Sequence, residues 1–291
     1  LRYCYEQGFT RIHSATPGPI GLASLAIARI LKLPICGTYH TQLPQYARFL
    51  TGDDAMAELT WKFVVWYYDQ MDLIYAPSED TRQELIARGI NGEKIALYPR
   101  GIDTERFSPE KRNGFFEQSY GVTASTKLLY VGRISKEKNL AVLVDAFRLL
   151  CSRQVQAHLV VVGDGPYLNE MKAQLSDLPC TFTGRLAGDD LAKAYASADI
   201  FVFPSTTDTF GNVVLEAQAS GLPVVVSDQG GPCENILPDT TGRVVPGNDV
   251  EALAAALNDI LSNPRQQQAM GRAARRYMEE RSFDAAFLKT W

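Results

Sequence analysis

The chain is poor in the features that mark several protein classes. Its five cysteines, Cys4, Cys36, Cys151, Cys180 and Cys233, are odd in number, far apart and never in a C-x-x-C pair. Neither a disulfide framework nor a zinc site is therefore indicated, and a reducing cytosol fits best. Long apolar runs are missing as well. The longest, Ile20 to Cys36, is interrupted by Arg29, Lys32 and Pro34, and it falls short of the roughly 20 residues a membrane span needs. Nor does one sign of charge dominate: 29 basic residues stand against 33 acidic ones, for a net charge of −4. The basic residues are scattered, which argues against nucleic acid and leaves a small molecule as the expected partner. Finally, there is neither a signal peptide nor an initiating Met. Leu1 is followed almost at once by the strand approach Gly8 to His13, so a fragment or processed chain is expected.

What is present is an ordinary globular composition, 46% hydrophobic and 21% charged over 291 residues. At roughly 100–200 residues per domain that length suggests two domains. Strand and helix signals alternate. Ile12 to Ala15, Pro34 to Tyr39, Asp72 to Ala76 and Lys94 to Tyr98 are expected strands. Between them lie expected helices at Ile20 to Leu31, Ala55 to Met71 and Glu79 to Arg88, the last capped by Ser78. Pro99 to Ser125 shows no periodicity, so residues 1–108 are read as a partial first domain and 109–125 as a linker. Residues 126–281 repeat the alternation, with strands at Lys127 to Gly132, His158 to Gly163, Cys180 to Gly184, Ile200 to Pro204 and Pro223 to Ser227. Residues 282–291 are taken as a tail. Strands that are apolar throughout imply parallel α/β sheets covered on both faces, two Rossmann-like layers with the first incomplete.

In open parallel sheets ligands bind beyond the carboxyl ends of the strands. Here those positions are polar and glycine-rich. Arg133 and Lys138 in Gly132-Arg133-Ile134-Ser135-Lys136-Glu137-Lys138-Asn139 put two cations on a strand-to-helix turn, where free helix-start amides also suit a diphosphate. Both are expected to face solvent. Further on, Asp208-Thr209-Phe210-Gly211-Asn212-Val213-Val214-Leu215-Glu216 opens a helix after a strand. A hydrolase-like pairing of Asp208 with Glu216 is not expected, because a mostly helical intervening segment separates them by roughly 10 Å against the ~5–5.5 Å of a retaining hydrolase. No Asp-x-Asp stands near a strand end, so no metal site is expected. His40 follows a strand and is flanked by Thr38 and Thr41, whereas His13 and His158 are read as structural.

The segment from Pro204 to Ala217, with Gly221-Leu222-Pro223 and Gly230-Gly231-Pro232 after it, resembles the carboxylate signature of retaining, nucleotide-sugar-dependent glycosyltransferases of the GT-B fold, group 1 or family 4 type. Asp208 replaces the usual Glu, as in the sulfoquinovosyl and related glycolipid branch. Gly37 to Thr41, Val162 to Pro166 and Thr183 to Arg185 carry the resemblance along nearly the whole chain.

The resemblance implies transfer of a sugar from a UDP- or GDP-type donor with retention of configuration and without metal or other cofactor. The leaving phosphate itself takes the acceptor's proton. Arg133 and Lys138 would stabilise that phosphate, Asp208 would bind sugar hydroxyls and His40 would touch the sugar near its reacting carbon. Phe210, Gly211, Asn212 and Val213 would offer helix-start amides, with Gly132 beside them at its strand end. Glu216 would hold the ribose, and Gly184 and Arg185 the base. The acceptor is left open among lipid, sugar and protein. A lipid would bring peripheral contact with the cytoplasmic membrane face, to which the helix around Trp61 to Tyr68 could contribute, although core is the commoner outcome for such a run. Family members carry a glycine-rich loop near the N-terminus that no residue here matches, so binding of nucleotide is expected to exceed turnover. The alternatives are a GT-B nucleotide-sugar epimerase and a non-enzymatic two-lobed sugar-binding protein.

Overall fold

The computed structural model describes residues 1–98 and 100–290; Pro99, in the expected first domain, and Trp291, in the expected tail, lie outside them. The chain divides into two compact units, Leu1–Pro99 and Arg100–Trp291. The first contains α1 (Arg2–Glu6), β1 (Ile12–Ser14), α2 (Pro19–Leu31), β2 (Ile35–Thr38) and α3 (Leu43–Thr51). After these come α4 (Asp54–Asp69), β3 (Leu73–Ala76), α5 (Glu79–Ala87) and β4 (Ile95–Leu97). Its four strands pair in parallel in the order β1-β2-β3-β4. Ser78 caps α5 as expected, its Oγ accepting the Thr81 amide at 3.2 Å. The α4 aromatics settle into the core: Trp61, Val64, Tyr67 and Tyr68 recur at helical spacing and are buried, while Trp66 is half exposed. Helix α3 had no signal in the sequence reading. Pro44 and Gly52 look like breakers, yet they occupy its first turn and its left-handed C-cap, where each is tolerated.

The second unit contains α6 (Phe115–Tyr120), β5 (Lys127–Val131), α7 (Leu140–Ser152), β6 (His158–Val162), α8 (Leu168–Gln174) and β7 (Cys180–Gly184). It continues with α9 (Gly188–Ser197), β8 (Ile200–Phe203), α10 (Asn212–Ala219), β9 (Val224–Ser227) and β10 (Gly242–Val245). Helices α11 (Val250–Ser262), α12 (Pro264–Glu279) and α13 (Phe283–Thr290) end it. All six strands are parallel, in the order β10-β9-β8-β5-β6-β7. Their fully buried Val, Leu, Ile and Phe residues form the larger core, as uninterrupted apolar strands require. Chain order therefore reverses at β5, with β6 and β7 built outward on one side and β8, β9 and β10 on the other. The ladder between β5 and β8 is confined to Leu128–Ile200 and Leu129–Phe201, whereas β5 and β6 pair along all of β5.

Two expected boundaries are corrected. Residues 109–125 are not a linker: Pro109–Lys111 is a 3-10 turn, α6 follows, and Phe115 and Phe116 are buried in the second core. Polar residues around a single Phe-Phe pair hid a helix too short to show periodicity. Residues 282–291 are not a free tail either, since Ser282 bridges Ile102 and α13 covers Phe283–Thr290. The five cysteines are free, and among the described residues no helix is long and apolar enough to cross a membrane.

Because Phe116 is 0% exposed, Phe116→Ala is expected to cost the second unit about 3–5 kcal/mol in urea denaturation. A change near zero would return the segment to the status of a linker.

Candidate functional site

Strand-order reversal leaves a crevice outside the carboxyl ends of β5 and β8. Two loops enclose it, 132–139 after β5 and 204–211 after β8, and three side-chain bonds join them. Lys138 Nζ donates to Asp208 Oδ2 at 2.9 Å, Thr207 Oγ1 to the Glu137 carbonyl at 2.9 Å, and Asn139 Nδ2 to the Pro204 carbonyl at 3.3 Å. From below, the buried Tyr130 donates its hydroxyl to the Arg133 carbonyl at 2.9 Å and stacks on Phe203. Tyr130 holds the only side-chain hydroxyl in β5, and that hydroxyl within the apolar run Leu128 to Val131 was the available signal for it.

Lys138 and Asp208 are 13% and 25% exposed at their side chains, so Lys138 is a buried pair partner rather than the solvent-facing residue expected. Lys138 lies at the end of a 3-10 turn, Lys136–Lys138, which carries its ammonium across to Asp208 instead of outward. Arg133 is exposed as expected, and no hydrogen bond or ion pair among the described residues engages its guanidinium. Asp208 does more than pair. Its Oδ1 accepts the amides of Phe210 at 3.2 Å and Gly211 at 2.8 Å. Burial would raise its pKa, but the Lys138 ammonium and these two amides outweigh burial and hold it below the usual carboxylate value.

Gly211 adopts φ +79° as N-cap of α10, a left-handed geometry that lets the chain turn directly into Asn212 and Val213 at the helix start. Around the end of β5, residues Val131 to Arg133, Val162 to Pro166, Arg185 and Leu186 line a cleft of about 520 Å³. Gly163 makes the cleft floor possible, since a Cβ there would stand 1.9 Å from the Gly132 carbonyl oxygen. Gly184 ends β7, and the exposed Arg185 follows it on the rim.

This site can be set beside known proteins. Residues 115–277 match the family described as Glycosyl transferases group 1, and residues 1–106 match Glycosyltransferase Family 4. The chain belongs to the group 1 glycosyltransferases. It is 34% identical over 285 residues to the sulfoquinovosyl transferase SQD2 of Arabidopsis thaliana, covering 96% of this chain and 55% of that protein. A GDP-mannose-dependent alpha-mannosyltransferase of Mycobacterium tuberculosis is 35% identical over 272 residues, covering 94% and 69%. The chain thus spans about half to two thirds of these relatives. In fold it matches Anabaena Alr3699/HepE, solved in complex with UDP-glucose, at a TM-score of 0.85 and 21% identity, covering 99% of this chain and 78% of that one. The GT-B arrangement of two Rossmann-like parallel sheets is accordingly the fold of this glycosyltransferase.

The remaining residues singled out in the sequence are described within their own units. Glu216 lies in α10 with its Oε2 accepting the hydroxyl of buried Tyr195 at 2.8 Å. Burial raises its pKa, against the opposing Tyr195 bond and the Arg106 charge. The two acids of the motif thus share no partner and titrate in opposite directions. His40 stands in the first unit, exposed just beyond β2, with Nδ1 3.4 Å from the Thr38 carbonyl. Its neighbour His13 is hydrogen-bonded to Thr38 Oγ1 at 2.8 Å and stacked on Tyr75. The His13 pKa is lowered, first by burial and then by His40. Among the described residues no three His, Cys, Asp or Glu side chains are grouped to hold a metal. Tyr130, Tyr195, Thr207, Asn235 and Arg100 hold these loops and side chains without having been singled out in the sequence, and of the five only Thr207 lies in the segment that carries the resemblance.

An Asp whose folded pKa is depressed contributes stability that is full above its unfolded pKa and is lost as pH falls through the folded value. Asp208→Asn is therefore expected to melt below the parent chain at neutral pH, with the gap closing below the usual value of 3.8. Equal midpoints at neutral pH would contradict the pairing with Lys138 as a stabilising one.

Proposed function

We propose that the protein transfers a sugar from a nucleoside-diphosphate sugar of the UDP or GDP type to an acceptor hydroxyl, with retention of configuration and without metal. The observation that carries this reading is the juxtaposition of Arg133, Lys138, Asp208 and the start of α10 around one crevice. Departure of a diphosphate places extra negative charge on its leaving oxygen, and cations with preorganised amides stabilise that charge. Among the described residues the Arg133 guanidinium has no competing partner, so it is ready to meet the phosphate. Lys138 can exchange Asp208 for a phosphate oxygen. Asp208 is then released to accept hydrogen bonds from sugar hydroxyls while keeping the amides of Phe210 and Gly211.

In this reading the bond between the anomeric carbon and the leaving oxygen breaks, and its electron pair goes to the phosphate. The acceptor oxygen bonds to the same face of that carbon, and its proton passes to the leaving phosphate. No enzymic base is needed, which accords with an Asp208 held ionised by a cation and a Glu216 held by Tyr195. The cleft beside Gly132, Gly163 and Arg185 is the place for the base, and Glu216 is the ribose ligand. His40 would touch the sugar, on the resemblance alone. The acceptor is read as a hydroxyl-bearing lipid or glycan.

A thermal-shift panel of UDP, GDP and ADP tests the donor: the correct nucleotide at a hundred times its Kd stabilises by ~2.7 kcal/mol. For chemistry, Arg133→Ala is expected to lower kcat/KM by roughly 100-fold or more with little change in melting, as expected when one charge-stabilising donor is lost from an exposed turn. Lys138→Ala should lose as much activity and also some stability, because it strands a largely buried Asp208. Unchanged transfer by either variant would sink the assignment.

A further inference from the structure

Two segments far apart in sequence run side by side in the second unit. Ile102 bridges Ser282 in parallel, and its amide donates to the Arg281 carbonyl at 3.0 Å. Each segment delivers an arginine toward the loop that opens α10. Arg100 lays its guanidinium over the Phe210 ring, with Cζ 5.0 Å from the centroid, and its Nη1 donates to Asn212 Oδ1 at 3.2 Å. Arg281 acts through one intermediary: its Nη1 donates to Asn235 Oδ1 at 3.3 Å, and Asn235 Nδ2 donates to the Phe210 carbonyl. Asn235 is 2% exposed, and its own carbonyl accepts Gln218 Nε2 at 2.7 Å. Since Arg281 can only donate and a carbonyl can only accept, the orientation of the Asn235 amide is determined.

These bonds converge on Phe210 to Asn212, with Arg100 on the Phe210 ring and the Asn212 side chain and Asn235 on the peptide unit between Phe210 and Gly211. The carbonyl of Phe210 is held by Asn235, and the N–H of the same planar unit, that of Gly211, is held by Asp208 at 2.8 Å. A planar group fixed at both ends cannot rotate, so the chain leaves Gly211 in one direction and presents the first amides of α10 in one direction. We propose that Arg100, Asn235 and Arg281 are positioning residues for the donor diphosphate. They clamp the Phe210–Gly211 peptide, and through them the pairing of 100–103 with 281–283 is coupled to donor affinity. The coupling rests on the donor-site reading above; the clamp itself does not.

The test therefore has two arms on the full chain, using Arg100→Ala, Arg281→Ala and the double variant, with Arg100→Lys and Arg281→Lys as gentler replacements. Hydrogen exchange without ligand should speed up at the Phe210 and Gly211 amides by tenfold or more and stay unchanged in β5. Titration with UDP and with GDP should show affinity reduced about tenfold in each alanine variant, as for loss of a charged hydrogen bond. The double variant should lose less than the product, because both act through one peptide, and Arg100→Lys should recover part of the loss by keeping a donor to Asn212. Should β5 exchange rise as well in an alanine variant, the lysine variants decide the same comparison. Unaltered exchange at residues 210 and 211 overturns the clamp, and losses that multiply overturn the shared route. A parent chain that binds neither UDP nor GDP overturns the donor-site reading and the coupling together, and the exchange arm still decides the clamp.

Discussion

The second unit is organised around a single ion pair, Lys138 with Asp208, placed where strand order reverses. A partly buried ammonium without a counter-charge is costly. Asp208 supplies that charge at 2.9 Å and ties the loop after β5 to the loop after β8. Because its other oxygen accepts two amides, the carboxylate stays ionised and anchored when the lysine is drawn to another anion. The Arg133 guanidinium, unpartnered among the described residues on the same turn, needs no such holder because it is exposed.

Three backbone carbonyls of these loops are each held by a specific side chain. Tyr130 holds the Arg133 carbonyl, Thr207 the Glu137 carbonyl and Asn235 the Phe210 carbonyl. Such a network is stiff, since breaking any member leaves a buried group without a partner. The same logic separates the two acids of the motif. Asp208 is lowered by a cation and amides, whereas burial raises Glu216 beside a neutral Tyr195 hydroxyl. Two carboxylates eight positions apart thus acquire different chemistry from their surroundings alone.

Much of this was legible in the residues. Uninterrupted apolar strands alternating with amphipathic helices predicted the parallel sheets, and β7 falls on the expected residues. Arg133, Lys138 and Asp208 were found because the carboxyl ends of parallel strands are where polar residues must collect. The elements that escaped were short or bounded by apparent breakers: α3 between Pro44 and Gly52, α6 in a polar stretch, and the four-residue β10. Periodicity needs several turns to show, and none of these has them.

The sequence by itself determined the fold class, the family and the polar residues that collect at the strand ends, because these follow from local pattern and from motif spacing. Only the tertiary structure decided that Lys138 is paired rather than free, and that residues 109–125 belong to a core. The convergence of Arg100, Asn235 and Arg281 on Phe210 to Asn212 was likewise invisible before folding. Each of these depends on contacts between residues tens to hundreds of positions apart, and no local pattern encodes which distant side chain will complete a buried hydrogen bond.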